Sequence, residues 1–289
     1  GSQLQQILDV PVGIIHSSWG GSSVQAWMSN EVLSPFQKVD LTNVDVKEKP
    51  NQIPTSLFNA MINPLIPYTI KGLVWYQGES NGGDPANYGK KLAALADDWR
   101  TKLNQANLPF IYAQLPGFGD RQLLPVESNW AILREEMRQA ESQIPNSAMV
   151  VTIDQGEWND IHPLNKKPIG ERMALAANQL IEKVASASSG PQIESANKSG
   201  DQIILRFKAQ GGNPTIDTRN EDELQYFAIA GKDRKFVWAK ARIENNMVII
   251  TSDEVNEPVY VRYAWSDFPE GNLVNEQGFP ASPFEISIN

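Results

Sequence analysis

Four short apolar runs constrain the first part of this 289-residue chain more than any other feature: Val12–Ile15, Gly72–Tyr76, Phe110–Leu115 and Met149–Ile153. Each run is continuous rather than alternating, the pattern of strands buried on both faces. Helical periodicity lies between them. Tyr88 to Leu103 lines up Leu92, Leu95, Trp99 and Leu103. Trp130 to Ala140 groups Trp130, Leu133 and Met137, with Ser128 or Asn129 as a cap. Pro168 to Val184 opens on a proline suited to a first helical turn and aligns Ile169, Met173, Leu180 and Val184. Buried strands alternating with helices predict an α/β domain whose parallel sheet carries helices on both faces.

The pattern changes at Ser186-Ala-Ser-Ser-Gly-Pro191, a small polar stretch that reads as a linker. Beyond it the chain reads as strands: Gln202–Phe207, Leu224–Ile229, Lys235–Ile243, Met247–Thr251 and Val259–Trp265. Asn245-Asn246 is a hairpin signal between two of them. The expected organisation is an α/β domain over residues 1–185 and a small antiparallel β domain, sandwich-like, over residues 191–289.

Composition removes several function classes. Lys plus Arg is 25 and Asp plus Glu is 34, a formal charge of −9. The acidic excess runs through both parts, so neither carries the basic footprint of a nucleic-acid binder or of a protein drawn to anionic membranes. Cysteine is absent, which removes disulfides, thiolate metal sites and cysteine nucleophiles. No apolar run approaches the roughly 18 residues of a membrane span. Gly1-Ser2 reads as a cloning scar and Gln3 as the middle of a helix, so an upstream stretch, a signal included, is expected to be missing.

Three loops carry residues suited to chemistry. There are two histidines, His16 and His162. His162 follows a buried strand in Asp154-Gln-Gly-Glu-Trp-Asn-Asp-Ile-His-Pro163, and ligands of open α/β sheets bind beyond the carboxyl ends of strands. A carboxylate from Asp154, Glu157 or Asp160 would fix its tautomer and stabilise the imidazolium. The same cluster reads equally as a solvated loop, or as a metal site built on Asp154, Asp160 and His162, although no i, i+4 ligand pair occurs. The second loop, Trp75-Tyr-Gln-Gly-Glu-Ser-Asn-Gly-Gly83, offers the amides of Gln77 and Asn81 to a developing oxyanion and Glu79 as a carboxylate. It also reads as a βα turn capped at Ser80 or Asn81. The third, Ser17-Ser-Trp-Gly-Gly-Ser-Ser23, could present backbone N–H groups to an anion, with Ser17 or Ser18 as a nucleophile or as a cap. Trp19, Trp27, Trp75 and Trp158 fall in or beside these loops, as core residues or as sugar-stacking faces.

Together these strings resemble the sialate O-acetylesterase group of the SGNH hydrolases. The resemblance is carried by Val12-Gly-Ile-Ile-His-Ser-Ser-Trp-Gly-Gly21, Phe58-Asn-Ala-Met-Ile-Asn-Pro-Leu65, Trp75-Tyr-Gln-Gly-Glu-Ser-Asn81, Asp98-Trp-Arg100, Leu108-Pro-Phe-Ile-Tyr112, Asp160-Ile-His-Pro163 and the tail strings Val261-Arg-Tyr-Ala-Trp265 and Gly278-Phe-Pro-Ala-Ser-Pro-Phe284. It implies a flavodoxin-like parallel sheet and serine-type hydrolysis of O-acetyl esters on sugars, either sialic acids or plant polysaccharides, without metal or cofactor. It also implies secretion to the periplasm or the cell exterior. By the same resemblance His162 is the base, Gly21 an oxyanion donor, and Gln77 or Asn81 the amide donor. Two departures follow. The family's Gly-Gln-Ser-Asn nucleophile string is absent, so an upstream segment is expected to supply the serine strand; otherwise the chain is a non-catalytic carbohydrate binder. The wider pattern places Asp three residues before the histidine, where this chain has Asn159, so Asp160, Asp154 or Glu79 would act as the acid.

Overall fold

The computed structural model describes residues 1–40, 42, 44–45, 47–183, 187–208, 215–221 and 223–289. Three of the four apolar runs form a parallel sheet of order β1-β2-β3: β1 (Leu73–Trp75), β2 (Phe110–Ala113) and β3 (Ser147–Val150). The helices are α1 (Ser2–Leu8), α2 (Asn30–Leu33), α3 (Tyr88–Lys102), α4 (Asn129–Ala140) and α5 (Lys167–Glu182). The pleat of β2 sends Phe110 and Tyr112 into one cluster with Leu92, Leu95, Leu133 and Met137, the inner faces of α3 and α4. Ile111 points the other way, onto Ala176 and Ala177 of α5 and Leu4 of α1. At β2 the sheet is therefore covered on both faces, as its continuous apolar run requires. Ser128 caps α4, its hydroxyl accepting from the Ala131 N–H at 2.9 Å. Val184, the expected end of the last helix, lies outside the described residues.

Val12–Ile15 departs from expectation. It forms no strand, and Ile14 and Ile15 are 72% and 51% exposed. A strand needs a neighbour to take its backbone hydrogen bonds. β1 pairs only with β2, and Val74 on β1 is 63% exposed, so the other edge of β1 has no partner strand among the described residues.

The second part is antiparallel: β4 (Gln192–Ser199), β5 (Gln202–Lys208), β6 (Asp217–Thr218), β7 (Phe227–Ala230), β8 (Val237–Trp238), β9 (Lys240–Glu244), β10 (Met247–Thr251), β11 (Tyr260–Tyr263), β12 (Leu273–Val274) and β13 (Phe284–Ser287). Two four-stranded sheets, β4-β5-β10-β9 and β13-β11-β7-β8, meet where the Phe207 and Phe284 rings stand 6.1 Å apart. β12 pairs with β6. Asn245 and Asn246 turn the β9–β10 hairpin with φ of 50° and 60°, the left-handed pair that such a turn demands. The expected strand Lys235–Ile243 is split into β8 and β9, and the start of Leu224–Ile229 makes only a single bridge, Leu224 to Ala241.

Of the expected linker, Ser186 lies outside the described residues, and Ser188 through Pro191 are buried. A Cβ at Gly190 would stand 2.3 Å from the Pro280 carbonyl, so this segment passes through packed structure rather than solvent. One apolar cluster runs without a break from Val24 and Leu95 to Val261 and Phe284. The two parts thus share a core.

An ion-pair triad reinforces the join. Arg172 on α5 donates twice to Asp154, 2.7 Å to each oxygen, and Arg219 beside β6 adds a third bond at 3.1 Å. Burial raises the Asp154 pKa, but the two guanidiniums outweigh it and hold the carboxyl below its ordinary 3.8. A depressed carboxyl contributes stability above its unfolded pKa and loses it as pH falls through the folded one. Asp154→Asn is expected to destabilise by roughly 3–5 kcal/mol at neutral pH, because it leaves buried guanidinium unpaired. The gap between the two proteins should narrow as pH falls below the carboxyl's ordinary value. Urea unfolding at pH 7 and at acid pH checks both, and a gap that widens toward acid contradicts the assignment.

Candidate active site

The loop after β1 is held by a buried amide network. Gln77 donates through Nε2 to the Ser22 carbonyl and to Asn81 Oδ1, both at 2.9 Å, and its Oε1 accepts from the Tyr88 hydroxyl at 2.9 Å. Asn81 Oδ1 also accepts from the Val24 N–H at 3.0 Å, and Asn81 Nδ2 donates to Gln25 Oε1 at 2.9 Å. Counting protons separates the two amides. Both N–H groups of Gln77 are engaged, whereas Asn81 keeps one N–H without a partner among the described residues. The loop can take this shape because Gly78 lies against α4 and the end of β2: a Cβ there would meet Met137 at 2.6 Å and Leu115 at 3.2 Å.

The same network carries the glycine loop. Gln77 and Asn81 bind Ser22 and Val24, and Gly21 directly precedes them with φ of 68°. Asn51 donates to the Gly20 carbonyl at 2.9 Å and Gln52 to that of Gly21. The Gly21 N–H makes no hydrogen bond among the described residues. Gly21 and Asn81 thus present two open donors from adjoining segments.

His162 sits on the loop after β3. Its side chain is 85% exposed, with Nδ1 3.4 Å from Asp160 Oδ1. The same oxygen accepts the His162 backbone N–H at 2.8 Å, so one carboxylate both turns the chain and faces the ring. Glu157 accepts from the Leu164 N–H at 3.0 Å. The loop is pinned from below: a Cβ at Gly156 would fall 2.0 Å from the Gly117 carbonyl, and the Gly119 N–H donates to the Trp158 carbonyl at 2.9 Å.

Electrostatics link the two loops. Burial raises the Glu79 pKa above its ordinary 4.5, while the charges of Lys166 and His162 pull it back. Lys166 is placed over the Tyr76 ring, 5.4 Å from its centre, and donates to the Pro163 carbonyl at 2.7 Å.

Other candidates are placed elsewhere. Asp154 has both carboxylate oxygens engaged by Arg172 and Arg219. Among the described residues no group of three acidic or histidine side chains is arranged to hold a metal ion. His16 Nε2 lies 2.6 Å from Ser18 Oγ in the exposed N-terminal segment, a pairing of near neighbours, and Ser17 donates to the Met61 carbonyl at 3.2 Å. Trp27 and Trp75 are core residues in edge contact at 6.1 Å, whereas Trp19 and Trp158 are 47% and 59% exposed. Tyr88, Lys166 and Gln25 escaped the sequence reading; each is remote from the loop it serves or lies in the body of a helix, and carries no local signal.

Comparison with known proteins places the chain among carbohydrate esterases. The family model described as a carbohydrate esterase, sialic acid-specific acetylesterase, matches residues 2–179. Sialate O-acetylesterases of Pongo abelii and Homo sapiens are 27% and 26% identical over 93% of this chain, which spans 55% of their length. The chain thus covers about half of the curated relatives it matches. A solved carbohydrate acetylesterase of Xanthomonas citri superposes with a TM-score of 0.88 and 37% identity, over 99% of this chain and 63% of that one.

The Glu79 environment is testable directly. Lys166→Met removes a charge that favours the carboxylate, so the Glu79 titration followed by carboxyl NMR should move further up. A titration that stays in place or moves down contradicts the placement of Lys166.

Proposed function

Because the chain belongs to the sialic acid-specific acetylesterase family of carbohydrate esterases, we propose that it carries the base and the oxyanion donors of a secreted, SGNH-type carbohydrate O-acetylesterase. The observation that carries this reading is the pair of open donors, Asn81 Nδ2 and the Gly21 N–H, on segments joined by one buried amide network, together with the His162–Asp160 pair on the loop after β3. In the proposed reaction a serine oxygen attacks the acetyl carbonyl and His162 Nε2 takes its proton. Asp160, against Nδ1, stabilises the imidazolium, and Glu79 is the other candidate acid. Asn81 and Gly21 hold the oxyanion, and Gln77 serves by orienting Asn81. Collapse expels the sugar hydroxyl, protonated by His162. Water then attacks the acetyl-enzyme by the same route in reverse.

We assign the serine to a segment of the full protein outside these 289 residues, paired along the free edge of β1. The exposed Val74, Ile14 and Ile15 are the apolar surface such a strand would cover. The same reading places the protein in the periplasm or the cell exterior, where acetylated sugar polymers are met; no helix among the described residues is long and apolar enough to cross a membrane. We further propose the domain boundary at 185/191 as a division of labour, the loops of the first part carrying the chemistry.

In the full-length protein, His162→Ala should lower kcat on 4-nitrophenyl acetate by about 10²–10⁴-fold, and Asn81→Ala by about 10²–10³-fold. Unchanged kcat in His162→Ala rejects the base assignment. Turnover by residues 1–289 alone that is lost in Ser18→Ala would place the nucleophile within this chain and overturn the segment assignment.

A further inference from the structure

The amide network beneath the proposed oxyanion site starts from a group that can only donate. Trp75, at the end of β1, is clamped edge-on between two indoles: Trp27 at 6.1 Å and 90°, and Trp99 at 5.7 Å and 81°. Its Nε1 donates to the Tyr88 hydroxyl at 3.3 Å. An indole N–H cannot accept, so the phenol oxygen accepts here and its single proton points elsewhere. Both of its acceptors among the described residues belong to Gln77: Oε1 at 2.9 Å and the backbone carbonyl at 3.0 Å.

Polarity then propagates along the chain of bonds. With Oε1 turned to the phenol, Gln77 Nε2 faces the Ser22 carbonyl and Asn81 Oδ1 and donates to both. Asn81 Oδ1 is thereby held as an acceptor, a role that the Val24 N–H reinforces at 3.0 Å. Nδ2 is left on the other side, bonded once to Gln25 and with one N–H open. A flipped Gln77 would set its oxygen against the Ser22 carbonyl and Asn81 Oδ1. It would also set its NH2 against a phenol proton already pointing at it. The order Trp75, Tyr88, Gln77, Asn81 therefore runs one way.

We propose that Tyr88 is a positioning residue for the esterase reaction: its hydroxyl, given a direction by the Trp75 indole, holds the Gln77 amide in the orientation that leaves an Asn81 N–H free for the oxyanion. The inference rests on the reading of Asn81 as a donor and adds the residue outside the loop that sets that donor's direction. Tyr88 touches no reacting atom and acts through Gln77. It is 1% exposed, and burial pushes its pKa above the ordinary 10, so the proton stays in place throughout the neutral range. Its place is set from outside the loop. The next residue on α3, Gly89, donates its N–H to Glu136 Oε2 at 2.9 Å, and a Cβ there would stand 2.5 Å from the Glu136 carbonyl. The first turn of α3 is thus pressed against α4, and the ring is anchored by that helix contact. Donors fixed in advance need no reorganisation as charge develops on the oxyanion. Losing the phenol leaves a buried acceptor on Gln77 unmet, and the network can relax; a small displacement of a donor is costly in rate.

Tyr88→Phe keeps the ring and removes only the hydroxyl. In the full-length protein it should lower kcat on 4-nitrophenyl acetate by roughly tenfold with KM unchanged. Introduced into Asn81→Ala it should lower kcat no further, because a residue that acts through Asn81 then has nothing to position. Trp75→Phe removes the indole N–H and should move kcat the same way by a smaller factor, again only while Asn81 is present. Leu92→Val, a buried change on α3 outside the chain of bonds, should lower the unfolding midpoint as Tyr88→Phe does yet keep kcat. Unchanged kcat in Tyr88→Phe, an equal loss in Leu92→Val, or a Tyr88→Phe loss that multiplies with that of Asn81→Ala overturns the assignment. If Tyr88→Phe does not fold, Trp75→Phe decides by the same criteria. Unchanged kcat in Asn81→Ala is a different result: it rejects the donor reading itself, and the positioning role falls with it.

Discussion

A single buried cation organises the region where the two parts of the chain meet. The Arg134 side chain is the largest fully buried one among the described residues, and no carboxylate bonds to it. Its guanidinium donates to the carbonyls of Leu115 and Pro116 at the end of β2, and to those of Ser266 and Asp267 after β11. Taking a charge out of water is costly unless its donors are met, and here four carbonyls meet them. Burial pushes the pKa down to about 9, with the nearby Asp267 charge resisting, so the group remains a cation at neutral pH. Its geometry sets the spacing between the Phe118 loop, the first turns of α4 and the Asp267 loop.

Further contacts tie the two parts together. The segment read as a linker is packed against Pro280, and Gln114 on the sheet side donates to Ser282 on the β side at 2.8 Å. Asp154 joins α5 to Arg219 in the same way. Each of these contacts pairs residues far apart in sequence, so local pattern carries no trace of them.

What was legible followed from periodicity. Three continuous runs and three amphipathic helices fell where the apolar residues put them, because burial on both faces of a sheet leaves a signature within a single segment. Val12–Ile15 carried the same signature but lacks its neighbour strand, and a strand is a property of a pair. β4 was missed for the opposite reason: its register shifts between Ile193 and Ser195, a bulge that breaks alternation and hides Ile193 and Ala196 in a polar stretch. The loops around His162 and Gln77 were visible as unusual strings after strands. The difference between Gln77 and Asn81 was not, since both are amides and only the partner of each N–H distinguishes them.

The charge pattern has the same origin in distant pairing. A net charge of −9 reads along the sequence as a diffuse acidic excess. In three dimensions many of the cations nearest the loops are used internally: Arg172 and Arg219 on Asp154, Arg262 on Glu127 and Glu285, and Arg134 on carbonyls. A count of charges along the sequence therefore does not show which cations are already engaged across the fold.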